Sequence, residues 1–158
     1  MAPVPLPTTV VGAYPKPDYV PVSDWFDLSD RDYAARWADE MAAAGDEAEA
    51  LFVRAAADVI ADQVDAGIDV VTDGEVRREN YIHYHCRHLT GFDFEHREQE
   101  TIRGVLPGVL PVIVGPVAAT EAFLPHDWRV AQAATDHPVK VTIPGPLTII
   151  DTVIDHHY

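Results

Sequence analysis

The chain has 158 residues, of which 47% are hydrophobic and 23% charged, and its formal net charge at pH 7 is −15. This length and composition can bury the core of one globular domain, and the acidic excess excludes nucleic-acid binding, which needs clustered Lys and Arg. The sequence lacks a long apolar run and a basic, apolar leader, so we expect no membrane span and a cytoplasmic location. The single Cys86 excludes an internal disulfide and a multi-cysteine zinc motif supplied by this chain alone.

The first predicted strand is the β-branched run at residues 8–11, which Gly12 ends. Prolines then indicate an extended loop that is rich in aromatic residues. A helix is predicted to begin near Arg31, capped by Ser29 or Asp30, and Gly45 breaks it.

A second helix is predicted over residues 46–66, because apolar side chains recur there at helical spacing while aspartates occupy another face. Gly67 ends this helix. The apolar run at 68–72 follows as the second predicted strand.

The second half of the chain continues the alternation. We predict a helix over 77–88, hairpin-like strands within 91–116, a helix over 126–135, a third strand over 139–143 and a final helix from Leu147. Strands that alternate with helices indicate an α/β fold with parallel strands. A complete eightfold barrel takes about 250 residues, so a barrel would be only partly supplied by this chain.

Two carboxylates flank a glycine directly after the second predicted strand. Ligands gather beyond the carboxyl ends of parallel strands, so Asp73 and Glu75 can bind an ammonium group or a metal, or act as bases. The alternative is structural: Asp73 caps a helix and Glu75 lies on the surface near a helix N-terminus, where negative charge is favoured. The residues alone favour neither interpretation, and Arg77 and Arg78 can neutralise the pair in both.

Gly12 and Gly145 follow the first and third predicted strands. Backbone amides at such positions can hold a carboxylate or a phosphate, but ordinary turn chemistry also explains both glycines. The sequence has no glycine pattern for a dinucleotide or a phosphate loop, so no nucleotide cofactor is implied.

A cluster of histidines surrounds Cys86 at residues 83–88. In a helix, His83 and His85 would point about 200° apart, and the segment has no His or Cys pair at i,i+4. A structural or substrate-lining role is therefore favoured. The alternative is a zinc site formed by His83, His85 and Cys86.

Three motifs follow one another in a recognisable order. They are Thr-Thr-Val-Val-Gly-Ala-Tyr-Pro at 8–15, Ile-Asp-Val-Val-Thr-Asp-Gly-Glu at 68–75 with Arg78, Tyr84 and Leu-Thr-Gly-Phe at 89–92, and Val-Lys at 139–140 with Gly-Pro-Leu-Thr at 145–148. Together they resemble the C-terminal catalytic domain of cobalamin-independent methionine synthase over nearly the whole chain. The resemblance extends to short relatives such as epoxyalkane:coenzyme M transferases.

The resemblance implies a TIM (β/α)8 barrel of the methionine synthase/uroporphyrinogen decarboxylase type. Residues 1–158 would form the N-terminal part of this single barrel domain, with 91–116 as a hairpin-like excursion. The remaining strands would come from the second half of the barrel or from a self-associating copy, because unpaired strand edges favour pairing.

The implied function is an S-methyltransferase that transfers a methyl group to the zinc-activated thiol of homocysteine and forms methionine. Zinc lowers the pKa of a thiol while preserving a usable nucleophile. The implied donor is a methyl-folate or a methylated corrinoid protein. The alternatives are another zinc-dependent thiol alkyltransferase, similar to epoxyalkane:coenzyme M transferase, and a non-catalytic fragment or subunit that needs the second half of the barrel.

The resemblance also implies which residues bind substrate. Glu75 would bind the amino group of homocysteine, and the backbone of Gly12, Ala13 and Tyr14 would contact its carboxylate. The zinc ligands are expected outside this chain. Five further residues would line the site: Asp73, Arg78, Tyr84, Gly145 and Thr148.

Three positions depart from the family's pattern. Ala13 replaces the usual serine, so only a backbone contact remains there. The apolar segment 109–113 replaces a basic segment of the folate-dependent enzymes, and Asp151-Thr152 replaces a Cys-Trp pair. These departures favour a different donor, such as a methylated corrinoid protein, or a different thiol.

Overall fold

The computed structural model describes residues 6–24 and 32–158. These residues form two compact units, the first from 6–20, 47–76 and 123–142, and the second from the remainder. The helices are α1 (Tyr33–Ala44), α2 (Ala48–Asp65), α3 (His83–Arg87), α4 (Leu124–Ala133) and α5 (Pro146–Ile150), with a 3-10 turn at Gly45–Glu47, and the strands are β1 (Phe92–Ile102), β2 (Leu106–Ile113) and β3 (Ile154–Asp155). The α/β class predicted from the sequence is confirmed.

The three predicted strands meet in the first unit. Thr9 forms a parallel bridge with Val70, and Val71 forms a parallel bridge with Val139. The predicted parallel direction is therefore confirmed, but each contact is a single bridge rather than a continuous ladder. Prolines lie next to the first and third strands, and their missing amide donors limit pairing at the strand ends.

Helices α2 and α4 pack together in the first unit. The apolar face predicted for the 46–66 helix is buried, with Val59 and Ile60 both at most 2% exposed. Ile60 packs with Val71 and Ala131, which joins both helices to the second predicted strand, the central one of the three. The helix predicted over 126–135 begins earlier, at Leu124, because a proline is well suited to the first helical turn.

Helix α1 belongs to the second unit and begins at Tyr33. The side chain of Asp32 accepts a hydrogen bond from the amide of Ala35 at 3.2 Å and so caps the helix. The predicted caps Ser29 and Asp30 lie outside the described residues. The prediction that Gly45 ends the helix is confirmed, since Gly45 has the positive φ of 51° that glycine adopts readily.

The prediction of a helix over 77–88 is wrong for most of that range. Only His83–Arg87 is helical, and buried turns occupy the preceding residues. The side chain of Asn80 accepts hydrogen bonds from the amides of Ile82 at 2.8 Å and His83 at 3.2 Å. Such local bonds from asparagine compete with the helical backbone and delay the start of the helix.

The second unit contains a three-stranded sheet in the order β1, β2, β3. Strands β1 and β2 form an antiparallel hairpin within 91–116, where hairpin-like strands were predicted. An irregularity follows Asp93, whose carboxylate accepts hydrogen bonds from the amides of Glu95 and His96. Strand β3 pairs parallel with β2 over two residues, a strand too short to be recognised from its sequence.

The last predicted helix is present but short. Helix α5 contains five residues and begins at Pro146, one residue before the predicted Leu147. Within residues 6–24 and 32–158, no helix is both long and apolar enough to cross a bilayer.

Candidate functional site

The candidate site in the first unit is built on a tight turn after the central strand. Gly74 and Glu75 both have positive φ, 67° and 56°. The carboxylate of Asp73 accepts a hydrogen bond from the amide of Glu75, and the hydroxyl of Thr72 accepts one from the amide of Gly74, both at 3.1 Å. The sharp turn predicted at Gly74 is therefore confirmed, and Asp73 stabilises it.

The structural alternative for these carboxylates is wrong in two respects. Residues 74–77 form turns, so Asp73 caps no helix. Glu75 does not lie on the surface, because its side chain is only 7% exposed. A carboxylate loses much of its hydration when it is buried, so its neighbours must supply hydrogen bonds in place of water.

Two hydrogen bonds connect the segment at Gly12 with the turn that carries Glu75. The amide of Tyr14 donates to the carbonyl of Gly74 at 3.0 Å, and the hydroxyl of Thr72 donates to the carbonyl of Gly12 at 3.1 Å. The two motifs that the sequence analysis singled out after the first and second strands are thus in direct contact.

Glu75 is held by a residue that the sequence analysis did not single out. The hydroxyl of Thr142 donates to Glu75 Oε1 at 2.6 Å. Thr142 lies near the carboxyl end of the third predicted strand, where ligands gather in parallel α/β folds, and a polar side chain at that end was the signal that could have identified it.

Gly12 lies against the same carboxylate. A Cβ placed on Gly12 would collide with Glu75 Oε1 and would approach Thr142 Cγ2 to 2.8 Å. The glycine is therefore required by a close approach, and within this unit the approaching group is the Glu75 side chain.

The predicted carboxylate-binding amides are only partly available. The amide of Tyr14 is used by the Gly74 carbonyl. Within the described part of the chain, the amides of Gly12 and Ala13 make no hydrogen bond. Two of the three predicted amide donors therefore have no acceptor among the described residues.

Four predicted lining residues belong to the second unit. Arg78 is 1% exposed, and its guanidinium lies 5.6 Å from the ring centre of Tyr84. The carbonyl of Thr148 accepts a hydrogen bond from the Thr152 hydroxyl at 3.0 Å. Gly145 caps α5 with an ordinary φ of −70°, and no described atom lies within 4 Å of a Cβ placed there, so neither backbone strain nor packing within the described residues requires glycine.

The histidine and cysteine cluster is buried in the second unit and does not form a metal site. His83 Nε2 lies 3.3 Å from the carbonyl of Thr152, and His85 Nδ1 lies 2.7 Å from the carbonyl of Tyr81. Burial raises the pKa of the Cys86 thiol to about 12, which opposes the thiolate that zinc binds. Among residues 6–24 and 32–158, no group of three His, Cys, Asp or Glu side chains could hold a metal ion, so the zinc alternative finds no support.

The sequence and fold are similar to those of several known proteins. The family model described as "Cobalamin-independent synthase, Catalytic domain" matches residues 6–155. A methionine synthase from Sulfolobus acidocaldarius is 30% identical over 154 residues, which are 97% of this chain and 42% of that protein. A 5-methyltetrahydropteroyltriglutamate–homocysteine methyltransferase from Lactiplantibacillus plantarum is 34% identical over 160 residues, covering 92% of this chain and 18% of that protein.

One solved structure is similar over nearly all of this chain. It is a B12-independent methionine synthase from Shewanella sp. W3-18-1 in complex with selenomethionine, with a TM-score of 0.79 and 32% identity. The match covers 97% of this chain and 42% of the Shewanella chain. This chain thus spans less than half the length of these relatives.

Proposed function

The chain belongs to the family of cobalamin-independent synthase catalytic domains, and we propose that it takes part in methyl transfer to the thiol of homocysteine to form methionine. In this reaction the thiol loses its proton, a sulfur–methyl bond forms, and the bond between the methyl group and its donor breaks. The names of the relatives support the proposal, and the observation that carries it is the buried Glu75 carboxylate at the Gly12 turn.

We propose that this chain supplies the amino-acid-binding part of the site. The ammonium group of homocysteine would pair with the Glu75 carboxylate, and its carboxylate would accept hydrogen bonds from the amides of Gly12 and Ala13. A charge-assisted hydrogen bond to a buried carboxylate is stronger than a neutral one, which makes Glu75 a good anchor. Asp73, Arg78, Tyr84, Gly145 and Thr148 remain proposed lining residues.

The corresponding proposal for the fold is a TIM (β/α)8 barrel to which residues 1–158 contribute the N-terminal part. The parallel contacts of the three predicted strands and the similarity to the Shewanella structure support it. In such barrels, functional residues follow the carboxyl ends of strands. Gly12, Glu75 and Thr142 come at or just after the ends of the three predicted strands.

Zinc enters the proposal only as a metal bound outside this chain. The described residues do not fit zinc, because they contain no suitable group of three ligands and because the Cys86 thiol is buried with a raised pKa. The second half of the barrel, or another copy, would have to supply the ligands.

The methyl donor is a separate part of the proposal. The name of the Lactiplantibacillus relative specifies 5-methyltetrahydropteroyltriglutamate. In this chain, residues 109–113 lie in β2, and Leu110, Val112 and Ile113 are buried, so this segment offers an apolar strand where folate-dependent enzymes carry basic residues. This difference favours a methylated corrinoid protein as the alternative donor, and methyl-transfer assays with each donor in turn distinguish the two.

The proposed role of Glu75 is tested by Glu75→Gln. The amide oxygen of glutamine can still accept the Thr142 hydroxyl, so the variant removes the charge with little change of shape. We expect calorimetric titration to show that the variant binds L-homocysteine at least about tenfold more weakly than the unaltered chain. Hydrogen bonds to charged groups contribute about 1.5–3 kcal/mol. Glu98→Gln, on the exposed half of β1, is the control and should bind as the unaltered chain does. Equal affinity in Glu75→Gln would contradict the proposal.

A further inference from the structure

We propose that Thr142 is a positioning residue that orients the Glu75 carboxylate for the substrate's ammonium group. This inference rests on the proposed function of Glu75 and assigns a role to a residue outside the motifs that indicated that function.

The first support is the contact itself. The Thr142 hydroxyl donates to Glu75 Oε1 at 2.6 Å, within the range of about 2.5–2.7 Å typical of a hydroxyl bound to an ionised carboxylate. Because the hydroxyl has a single proton, this bond selects a direction for the carboxylate as well as supporting its charge.

The second support is the packing around the same oxygen. The Gly12 backbone and the Thr142 side chain are so close to Glu75 Oε1 that a Cβ on Gly12 would collide with the carboxylate and crowd the Thr142 methyl group. One oxygen of the carboxylate is therefore fixed by a donor and by close packing together. Little room remains for a different rotamer on that side.

The third support is the way the fold holds Thr142. The amide of Lys140 donates to the carbonyl of Val71 at 3.0 Å, and Lys140 Nζ donates to the carbonyl of Val10 at 2.5 Å. The segment that carries Thr142 is thus tied to both neighbouring extended segments two residues before the threonine. A rigidly placed donor holds its partner more accurately than a mobile one.

A purely structural role would give Thr142 the same hydrogen bond, so the test must separate orientation from stability. 4-Sulfanylbutanoate is homocysteine without the amino group, and it has no ammonium group for Glu75 to bind. A loss of orientation should weaken homocysteine alone, whereas a general disturbance of the site should weaken both ligands.

The experiment compares Thr142→Val, which removes the hydroxyl at nearly constant shape, with Thr142→Ser, which keeps it. Calorimetric titration of the full chain should show about tenfold weaker L-homocysteine binding in Thr142→Val, which corresponds to about 1.4 kcal/mol, with unchanged binding of 4-sulfanylbutanoate. Thr142→Ser should restore homocysteine binding. Thr101→Val, at an exposed position on β1, is the control.

The outcomes separate the two proposals. Normal homocysteine binding by Thr142→Val, or equal loss of both ligands, overturns the positioning role while a weakened Glu75→Gln still supports the proposed function. If Glu75→Gln and the unaltered chain bind homocysteine equally, or neither binds it, both proposals fail. Should Thr142→Val not fold, Thr142→Ala is measured against Thr142→Ser by the same criterion.

Discussion

A buried glutamine connects helix α2 to the strand that carries the candidate site, and its removal gives a sharp stability prediction. Gln63 is 2% exposed, and its side-chain amide bonds to both backbone groups of Thr72, as the backbone of a neighbouring strand would. Its Nε2 donates to the Thr72 carbonyl at 2.9 Å, and its Oε1 accepts from the Thr72 amide at 3.0 Å. Gln63→Met keeps the length of the side chain but can satisfy neither backbone group, and Thr72 is fully buried.

The expected loss of stability follows from the amide and the carbonyl of Thr72, which would both lack a hydrogen-bond partner in the variant. A buried polar group without a partner costs about 1–3 kcal/mol, so Gln63→Met should lower the free energy of unfolding by about 2–6 kcal/mol. Because small domains have only about 5–15 kcal/mol in total, the variant should be severely destabilised. Urea titration followed by circular dichroism measures the loss.

Gln132 provides a matched control in α4. Its Nε2 donates to the carbonyls of Thr135 and His137, both at 2.9 Å, and its Oε1 accepts from Val139 at 3.3 Å, next to the third strand. It is half-buried, so water can replace part of these bonds, and Gln132→Met should cost about 1 kcal/mol. If both variants lose the same stability, or if Gln63→Met loses less than 1 kcal/mol, the reasoning about buried backbone partners is refuted.

Two further predictions concern the buried cluster of the second unit. Because the Cys86 side chain is fully buried and its pKa is raised to about 12, the thiol should react with Ellman's reagent at pH 8 only after unfolding, and rapid labelling of the native chain would contradict this. Burial lowers the pKa of His83 to about 4, so between pH 6.5 and 4 the unfolded state binds more protons. Stability should therefore fall as pH decreases across this window, by about 3 kcal/mol from His83 alone, and His83→Phe should flatten the dependence while the exposed control His126→Gln should not.

Much of the first unit could be predicted because its signals are local. The periodic apolar face of α2, the break at Gly67 and the β-branched runs each follow from the intrinsic preferences of neighbouring residues. The position of Glu75 after the central strand was also evident, because the glycine before it permits a sharp turn.

The features that sequence reasoning missed depend on contacts between distant residues. Thr142 is 67 positions away from Glu75, and no local pattern indicates their hydrogen bond. The segment after Glu75 was mistaken for a helix because it contains good helix formers, whereas ten consecutive residues from Val71 to Asn80 are buried, most of them polar. The Asn80 side chain accepts hydrogen bonds from the amides of Ile82 and His83, and such local bonds override the intrinsic helical preference of the residues before them.

The backbone at Glu75 favours a functional explanation over a purely structural one. Positive φ is uncommon for residues other than glycine and costs about 1 kcal/mol or more, and besides Glu75 only Arg103 adopts it among the non-glycine residues described. Arg103 lies in the exposed hairpin turn between β1 and β2, where positive φ suits the twist of the strands. Glu75 has no such reason, since glycine or asparagine would form its turn with less strain and without burying a charge. Glu75 combines backbone strain with a buried carboxylate, and it lies against Gly12, where a close approach requires glycine. This combination indicates that the strain is tolerated because a specific side chain is needed at this position.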